Sequence, residues 1–210
     1  MRVTLDGCVI PGDHIPMDGP ASLVVVTGRP ATGKSALAAE LRRREGWPVL
    51  EKDAIKEALV ETLGAADPAA SRRLSDASFR VLFALARTWP AGEGGALVLE
   101  GNFRPGEHEP ALSEILRRRA SRLVQVVLHA PRDALVERLR TRAAQPGRHP
   151  GHRDLETAEA LLREEANGGP QPLALPGTLL VEDTSGLDAR RLEAIAAAVA
   201  AAAAHRPWLV

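Results

Sequence analysis

The sequence predicts an α/β fold in which a parallel sheet is covered by helices on both faces. Two observations carry this. Five short apolar segments, "SLVVVT", "WPVLE", "GALVLEG", "RLVQVVLHA" and "GTLLVEDT", alternate with longer segments of helical composition. Strands separated by helices imply right-handed crossovers and parallel pairing. The first apolar segment also runs directly into "GRPATGKS", Gly28 to Ser35, with a helical pattern after it. The 210 residues suit one domain of substantial size, and 45% apolar residues can supply its core.

Each element follows from its local residues. Residues 1–20 carry Pro11, Pro16 and Pro20 and read as an extended lead-in. A single domain is expected over 21–206. "SLVVVT" is continuously apolar, as for a strand buried on both faces. Lys34 to Arg44 reads as a helix that stops at Gly46. Asp53 is expected to open the helix through "AIKEALVETLG", which Gly64 ends. Asp67 and Pro68 fit the N-cap and first helical position of a long amphipathic helix. "NFRPGEHEP" reads as a polar loop before a short helix to Arg119. Pro131 starts a helix to about Ala144, "QPGRHPGHRD" is a loop, and "LETAEALLREEA" is helical. Gly168 to Pro176 is expected to return the chain to the sheet. A last helix runs from Leu187 to about His205, and Ser185 and Asp188 have the spacing of a capping box.

Composition excludes several classes. Lys plus Arg equals Asp plus Glu at 27 each, there is no tyrosine, and only 3% of residues are aromatic. A neutral, aromatic-poor chain argues against nucleic acid as a partner. Cys8 is the only cysteine, so an intrachain disulfide and a cysteine-based zinc site are both excluded. His149 and His152 have no supporting cluster of ligands for zinc. No stretch reaches the ~20 apolar residues of a membrane span, and the first residues lack a signal-peptide pattern. The chain therefore reads as cytoplasmic. Its basic residues are nearly all arginine; Lys34, Lys52 and Lys56 are the only lysines.

The pattern G-x-x-x-x-G-K-S between a buried strand and a helix is a phosphate-binding loop. Its glycines permit backbone angles that turn successive N–H groups inward, and the next helix adds its positive end. Gly28, Arg29, Pro30, Ala31, Thr32, Gly33, Lys34, Ser35 and Ala36 are thus expected around the phosphates of ATP. Lys34 reaches the β- and γ-phosphates, and Ser35 supplies a hydroxyl to Mg²⁺.

Asp53 ends the second apolar segment, and strand C-termini share one edge with the loop after strand one. Its carboxylate is placed to accept a proton from a substrate hydroxyl, to cap the following helix, or both. Glu100 ends "ALVLE", four apolar residues then an acid, and can serve Mg²⁺ or substrate. Asn102, Arg104 and His108 follow on the same edge, as acceptor ligands or as an ordinary polar loop. Arg138 and Arg142, four apart on one helix face, and Arg148 just beyond, suit a mobile cationic lid or a solvated basic face.

These stretches, with "EKDAIKEAL", "LVLEGNFRPGEH", "ERLRTRAAQPGRHPGH" and "LLVEDTS", resemble the small P-loop kinases related to chloramphenicol phosphotransferase, zeta toxins and the kinase domain of polynucleotide kinase. The resemblance runs from about Ser22 to Thr184. It implies a five-stranded parallel sheet in the order 2-3-1-4-5. It further implies Asp53 as general base, a lid at about 138–153 carrying Arg138, Arg142 and Arg148, and Asp183 and Thr184 near the adenine. The implied activity is transfer of the γ-phosphate of Mg·ATP to a hydroxyl of a small molecule such as an antibiotic, nucleoside or sugar, by a monomer or homodimer. The acceptor loop diverges among such proteins, so the acceptor does not carry over. Two other readings stay open: an ATP-driven switch without a small acceptor, and a polynucleotide 5'-hydroxyl kinase.

Overall fold

The computed structural model describes residues 22–89, 95–119, 121–146, 152–164, 169 and 171–204. The N-terminal lead-in, Arg148 and His149 lie outside these described residues. The elements are β1 (Ser22–Gly28), α1 (Lys34–Glu45), β2 (Val49–Glu51), α2 (Lys52–Leu63), α3 (Pro68–Thr88), β3 (Ala96–Glu100), α4 (Glu109–Arg119), β4 (Arg122–His129), α5 (Arg132–Ala143), α6 (Asp154–Arg163), β5 (Thr178–Asp183) and α7 (Ala189–Ala204).

The five strands form one sheet in the order β2-β3-β1-β4-β5, and every pairing is parallel. β1 sits at the centre because nearly all its residues are buried, which only a strand flanked on both sides and both faces allows. Its side chains alternate between two cores. Leu23 and Val25 meet Phe79, Leu82 and Phe83 of α3 and Leu112 and Ile115 of α4. Val24 and Val26 meet Leu37 and Leu41 of α1 and Ile195 and Val199 of α7. A third, smaller core joins α5 to α6 through Leu135, Val136, Leu139, Ala158 and Leu161, with Ala31 packed against it.

The helix ends depart from expectation at two places. α2 starts two residues early, at Lys52 with Glu51 as N-cap, so Asp53 lies inside the first turn and does not cap it. α7 has no capping box. Asp188 Oδ1 itself accepts the Arg191 N–H at 2.7 Å, while the Ser185 hydroxyl turns back to Asp183. The Asp67 cap stands as read, accepting the Ala70 N–H at 2.6 Å ahead of Pro68.

The segment before β5 is stitched to the sheet. Buried Gln125 of β4 accepts the Leu173 N–H at 2.8 Å and donates to the Leu173 carbonyl at 3.1 Å. Both polar ends of a buried amide are thereby satisfied. Leu173 then adds its side chain to the α3–α4 core.

Candidate active site

The loop from Gly28 to Gly33 connects the C-terminal end of β1 to α1. Three residues there take positive φ: Gly28 at 148°, Ala31 at 65° and Gly33 at 94°. Gly28 has to be glycine. A Cβ there would lie 2.3 Å from the Leu128 carbonyl oxygen of the neighbouring strand. α1 begins at Gly33 with no side-chain cap and no acid in its first turn. Its first N–H groups and positive end are therefore left for an anion. Lys34 is almost fully buried, and its Nζ donates to the Arg29 carbonyl at 3.0 Å. Burial lowers its pKa, while the negative charge of Glu100, and then of Asp53, acts against that.

This loop forms one wall of a cleft of about 420 Å³. Lys34, Ser35 and Ala36 line it from the loop side, and Lys52, Asp53 and Lys56 face them from α2. Asp53 is half-exposed, and its Oδ1 accepts from Lys52 Nζ at 3.0 Å. Burial would raise the Asp53 pKa, but the Lys52 charge and hydrogen bond, aided by Lys34 and His152, bring it below the ordinary aspartate value. Asp53 is thus a carboxylate at neutral pH. Lys52 is only 4% exposed, and its ammonium stands 5.7 Å from the centre of the Phe79 ring.

Glu100 is 1% exposed at the end of β3, and its Oε1 has no hydrogen-bond partner among the described residues. Burial raises its pKa to about 7, against the pull of Lys34. An orphaned buried carboxylate oxygen beside the phosphate loop, with the exposed hydroxyl of Ser35 on the cleft, is the kind of oxygen donor set a hard divalent cation takes. Among the described residues no group of three or more His, Cys, Asp or Glu could hold a metal ion. Mg²⁺ bound chiefly through phosphates and water needs no such group.

Arg138 and Arg142 of α5 do not form a solvated face. Arg138 donates from Nη1 to the Ala31 carbonyl at 3.2 Å, and from Nη2 to the Thr184 and Ser185 carbonyls, the latter at 2.8 Å. It ties α5 to the phosphate loop and to the turn after β5. Arg142 makes a two-point pair with Asp154, Nε to Oδ2 at 3.1 Å and Nη2 to Oδ1 at 2.6 Å. Arg138, Arg142 and Asp154 all border the cleft. His152, next to α6, pairs with Glu57 of α2 and closes the far side.

The loop after β3 divides its residues. Asn102 borders both the main cleft and a second cavity of about 170 Å³. Arg104 borders only the smaller cavity and pairs with Asp76 and Glu107 at 2.9 and 2.8 Å. His108, expected with the acceptor ligands, is buried instead. Its ring centroid lies 4.1 Å from that of Phe79, and its Nδ1 accepts the Arg104 N–H at 3.0 Å. Phe79 and Phe83 of α3 make this pocket, and they remove His108 from both cavities. Asp183 and Thr184 also line neither. Asp183 Oδ1 accepts the Ser185 N–H at 2.7 Å, and buried Thr184 donates its hydroxyl to the His129 carbonyl at 3.0 Å.

Sequence reasoning missed Lys52, Lys56, His152 and Asp154 as cleft residues. One signal was available: the three lysines of this arginine-rich chain, Lys34, Lys52 and Lys56, all border the same cleft.

The family model described as an AAA domain matches residues 23–164. A candidate kinase from Chloroflexus aurantiacus has a solved structure that is 31% identical, with a TM-score of 0.73, over 88% of this chain and 99% of that one. A sugar kinase from Janibacter sp. HTCC2649 is 16% identical with a TM-score of 0.52, over 88% and 97%. An APS kinase from Mycobacterium tuberculosis, solved with AMPPNP and APS, is 19% identical with a TM-score of 0.52, over 86% and 95%. The last two share the fold. No curated protein matches the chain.

Proposed function

We propose that this chain, which belongs to the AAA-domain family and has the fold of the small P-loop kinases, is an ATP-dependent phosphotransferase acting on a hydroxyl of a small molecule. One observation carries the reading. An ionised carboxylate, Asp53, lines the same cleft as the phosphate loop and its Lys34. A switch protein that only binds ATP needs the loop but not a base across from it.

In this reading Lys34 and the N-terminal end of α1 hold the β- and γ-phosphates. The acceptor lies against α2 with its hydroxyl at Asp53. The hydroxyl oxygen forms a bond to the γ-phosphorus, the bond from that phosphorus to the bridging oxygen breaks, and ADP leaves. The hydroxyl proton passes to Asp53. Ser35 and Glu100 are the donors that would hold Mg²⁺, directly or through water. When bound, the ion offsets charge on the transferring phosphoryl group. Arg142, held by Asp154 at the cleft wall, supplies a fixed positive charge, and α5 with α6 serves as the lid that excludes water.

The test is transfer of labelled γ-phosphate from Mg·ATP to a panel of cationic, neutral and anionic alcohols: aminoglycosides, amide antibiotics, nucleosides, sugars and sugar acids. Asp53→Asn is expected to lower transfer about a hundredfold to ten-thousandfold, with ATP binding retained. Unchanged transfer in that variant would remove Asp53 as base. Absence of transfer to every alcohol, with ATP bound, would count against the reaction class.

A further inference from the structure

We propose that the smaller cavity beside Asn102 is a subsite for a neutral polyhydroxylated ring, so that the acceptor alcohol is an uncharged sugar or cyclitol reaching from the cleft into it. This rests on the phosphotransferase reading of the cleft.

The two cavities share Asn102 and Pro30 as walls, so they meet beside the phosphate loop. At about 170 Å³ the smaller one is below the ~300 Å³ of the smallest common ligand pockets, which suits one part of a ligand held also in the cleft. Its base is apolar: Phe103, Leu128 and Ala130 border it and are all buried. Three neutral hydrogen-bonding side chains complete it, each from a different part of the fold. Thr27 stands near the end of β1, Asn102 on the loop after β3, and Gln171 on the segment before β5.

These three side chains have hydrogen-bonding capacity to spare. Thr27 is 2% exposed; its Oγ1 accepts the Phe103 N–H at 3.1 Å, and its own proton goes to no acceptor among the described residues. The side-chain amides of Asn102 and Gln171, both exposed, make no hydrogen bond among the described residues. A hydroxyl and an amide each donate and accept. A phosphate or carboxylate calls for donors only, and an ammonium for acceptors only, so this set matches hydroxyls, which do both. The charged groups agree. Arg29 and Arg104 border the cavity, but Arg29 pairs with Glu164, and Arg104 with Asp76 at 2.9 Å and Glu107 at 2.8 Å. No aspartate or glutamate borders it among the described residues. A sugar ring carries the two matching surfaces, C–H groups for the apolar base and hydroxyls for the polar side chains. The rest of the acceptor would lie past Asn102 in the cleft, with one hydroxyl directed at Asp53.

The test uses the full chain saturated with Mg·AMPPNP, so that the phosphate loop is filled. Glucose, maltose and myo-inositol are titrated by calorimetry, with glucosamine and gluconate as cationic and anionic counterparts. At least one neutral compound should bind saturably, and more tightly than both charged ones. Gln171→Ala, at an exposed position, should weaken that binding about three- to tenfold, the effect of one hydrogen bond. Thr27→Val, which keeps the shape and removes the hydroxyl, should weaken it too. AMPPNP affinity reports that each variant is folded; if Thr27→Val does not fold, Gln171→Ala decides alone. Absence of saturable binding by every neutral compound, tighter binding of glucosamine or gluconate, or binding indifferent to Gln171→Ala overturns the subsite. The two claims fail separately. Transfer of γ-phosphate with an acceptor KM unchanged by Gln171→Ala overturns the subsite and leaves the kinase reading. Gln171-dependent sugar binding without phosphorylation of any alcohol overturns the kinase reading and supports the subsite.

Discussion

Arg142 and Asp154 form a two-point ion pair that fastens the last turn of α5 to the first residue of α6. Asp154 is only 4% exposed, so the pair lies largely out of water on its carboxylate side. Removing either partner takes two charged hydrogen bonds away from the other. Asp154→Ala is expected to cost about 2 kcal/mol, since a hydrogen-bonded charge contributes more than a neutral pair. For a chain of this size that lowers the unfolding midpoint by about 4–8 °C. Differential scanning calorimetry checks the midpoint. Amide exchange should show the loss of protection concentrated in 132–163.

Lys52 sets the ionisation of Asp53. Burial alone would raise the Asp53 pKa, and Lys52 at 3.0 Å is the main influence that lowers it. With Asp53 as the proposed base, which works only when deprotonated, the acid limb of the rate profile should fall below the ordinary aspartate value. Lys52→Met leaves burial less opposed. The acid limb of kcat/KM should then move upward toward neutral pH, with the rate above the limb less affected. A limb that stays in place in that variant would show that Lys52 does not control the base.

The sheet was legible because its signal is local. Leu23 with Val25 and Val24 with Val26 are four apolar residues in a row, and only a strand covered on both faces can bury all of them. The phosphate loop was legible for the same reason: its glycines, Lys34 and Ser35 are consecutive. The α2 wall was not. A lysine on an amphipathic helix normally reads as a solvated face, and the partner of Lys56, Ser71, comes from a different helix. His108 shows the converse. Its neighbours in sequence are polar, but Phe79 and Phe83, some thirty residues earlier, enclose it. Arg138 borders the cleft, and its carbonyl partners at Ala31 and Ser185 depend on how α5 crosses the sheet edge.

His108 should make stability depend on pH. Burial lowers its pKa from the ordinary value of 6.5, so the folded chain holds it neutral while the unfolded chain protonates it more readily. Its contribution is therefore fully present above pH 6.5 and is lost as pH falls through that value toward the folded pKa. The slope from one group is at most about 1.4 kcal/mol per pH unit. His108→Asn keeps an acceptor for the Arg104 N–H without a titrating ring. Urea denaturation at pH 7.5 and 5.5 should show a smaller loss of stability in the variant than in the parent chain.

Gly28 and Gly33 bracket the phosphate loop, but they should not respond alike to an added methyl group. At Gly28 the Cβ would meet the Leu128 carbonyl oxygen at 2.3 Å, and that oxygen belongs to the central sheet. A strand cannot yield by an ångström without breaking its pairing with β1. At Gly33 the Cβ would meet Leu187 Cδ2 at 2.4 Å, the end of a side chain that can rotate away. What remains there is the cost of a left-handed residue with a side chain, about 1–2 kcal/mol. Gly33→Ala is therefore expected to fold with a modestly lower urea midpoint. Gly28→Ala should lose more than about 3 kcal/mol, combining backbone strain with overpacking, and should lose ATP binding as the loop is displaced. Denaturation curves for both variants, with and without Mg·ATP, decide the matter. Equal losses would mean that the Leu128 carbonyl is not the constraint.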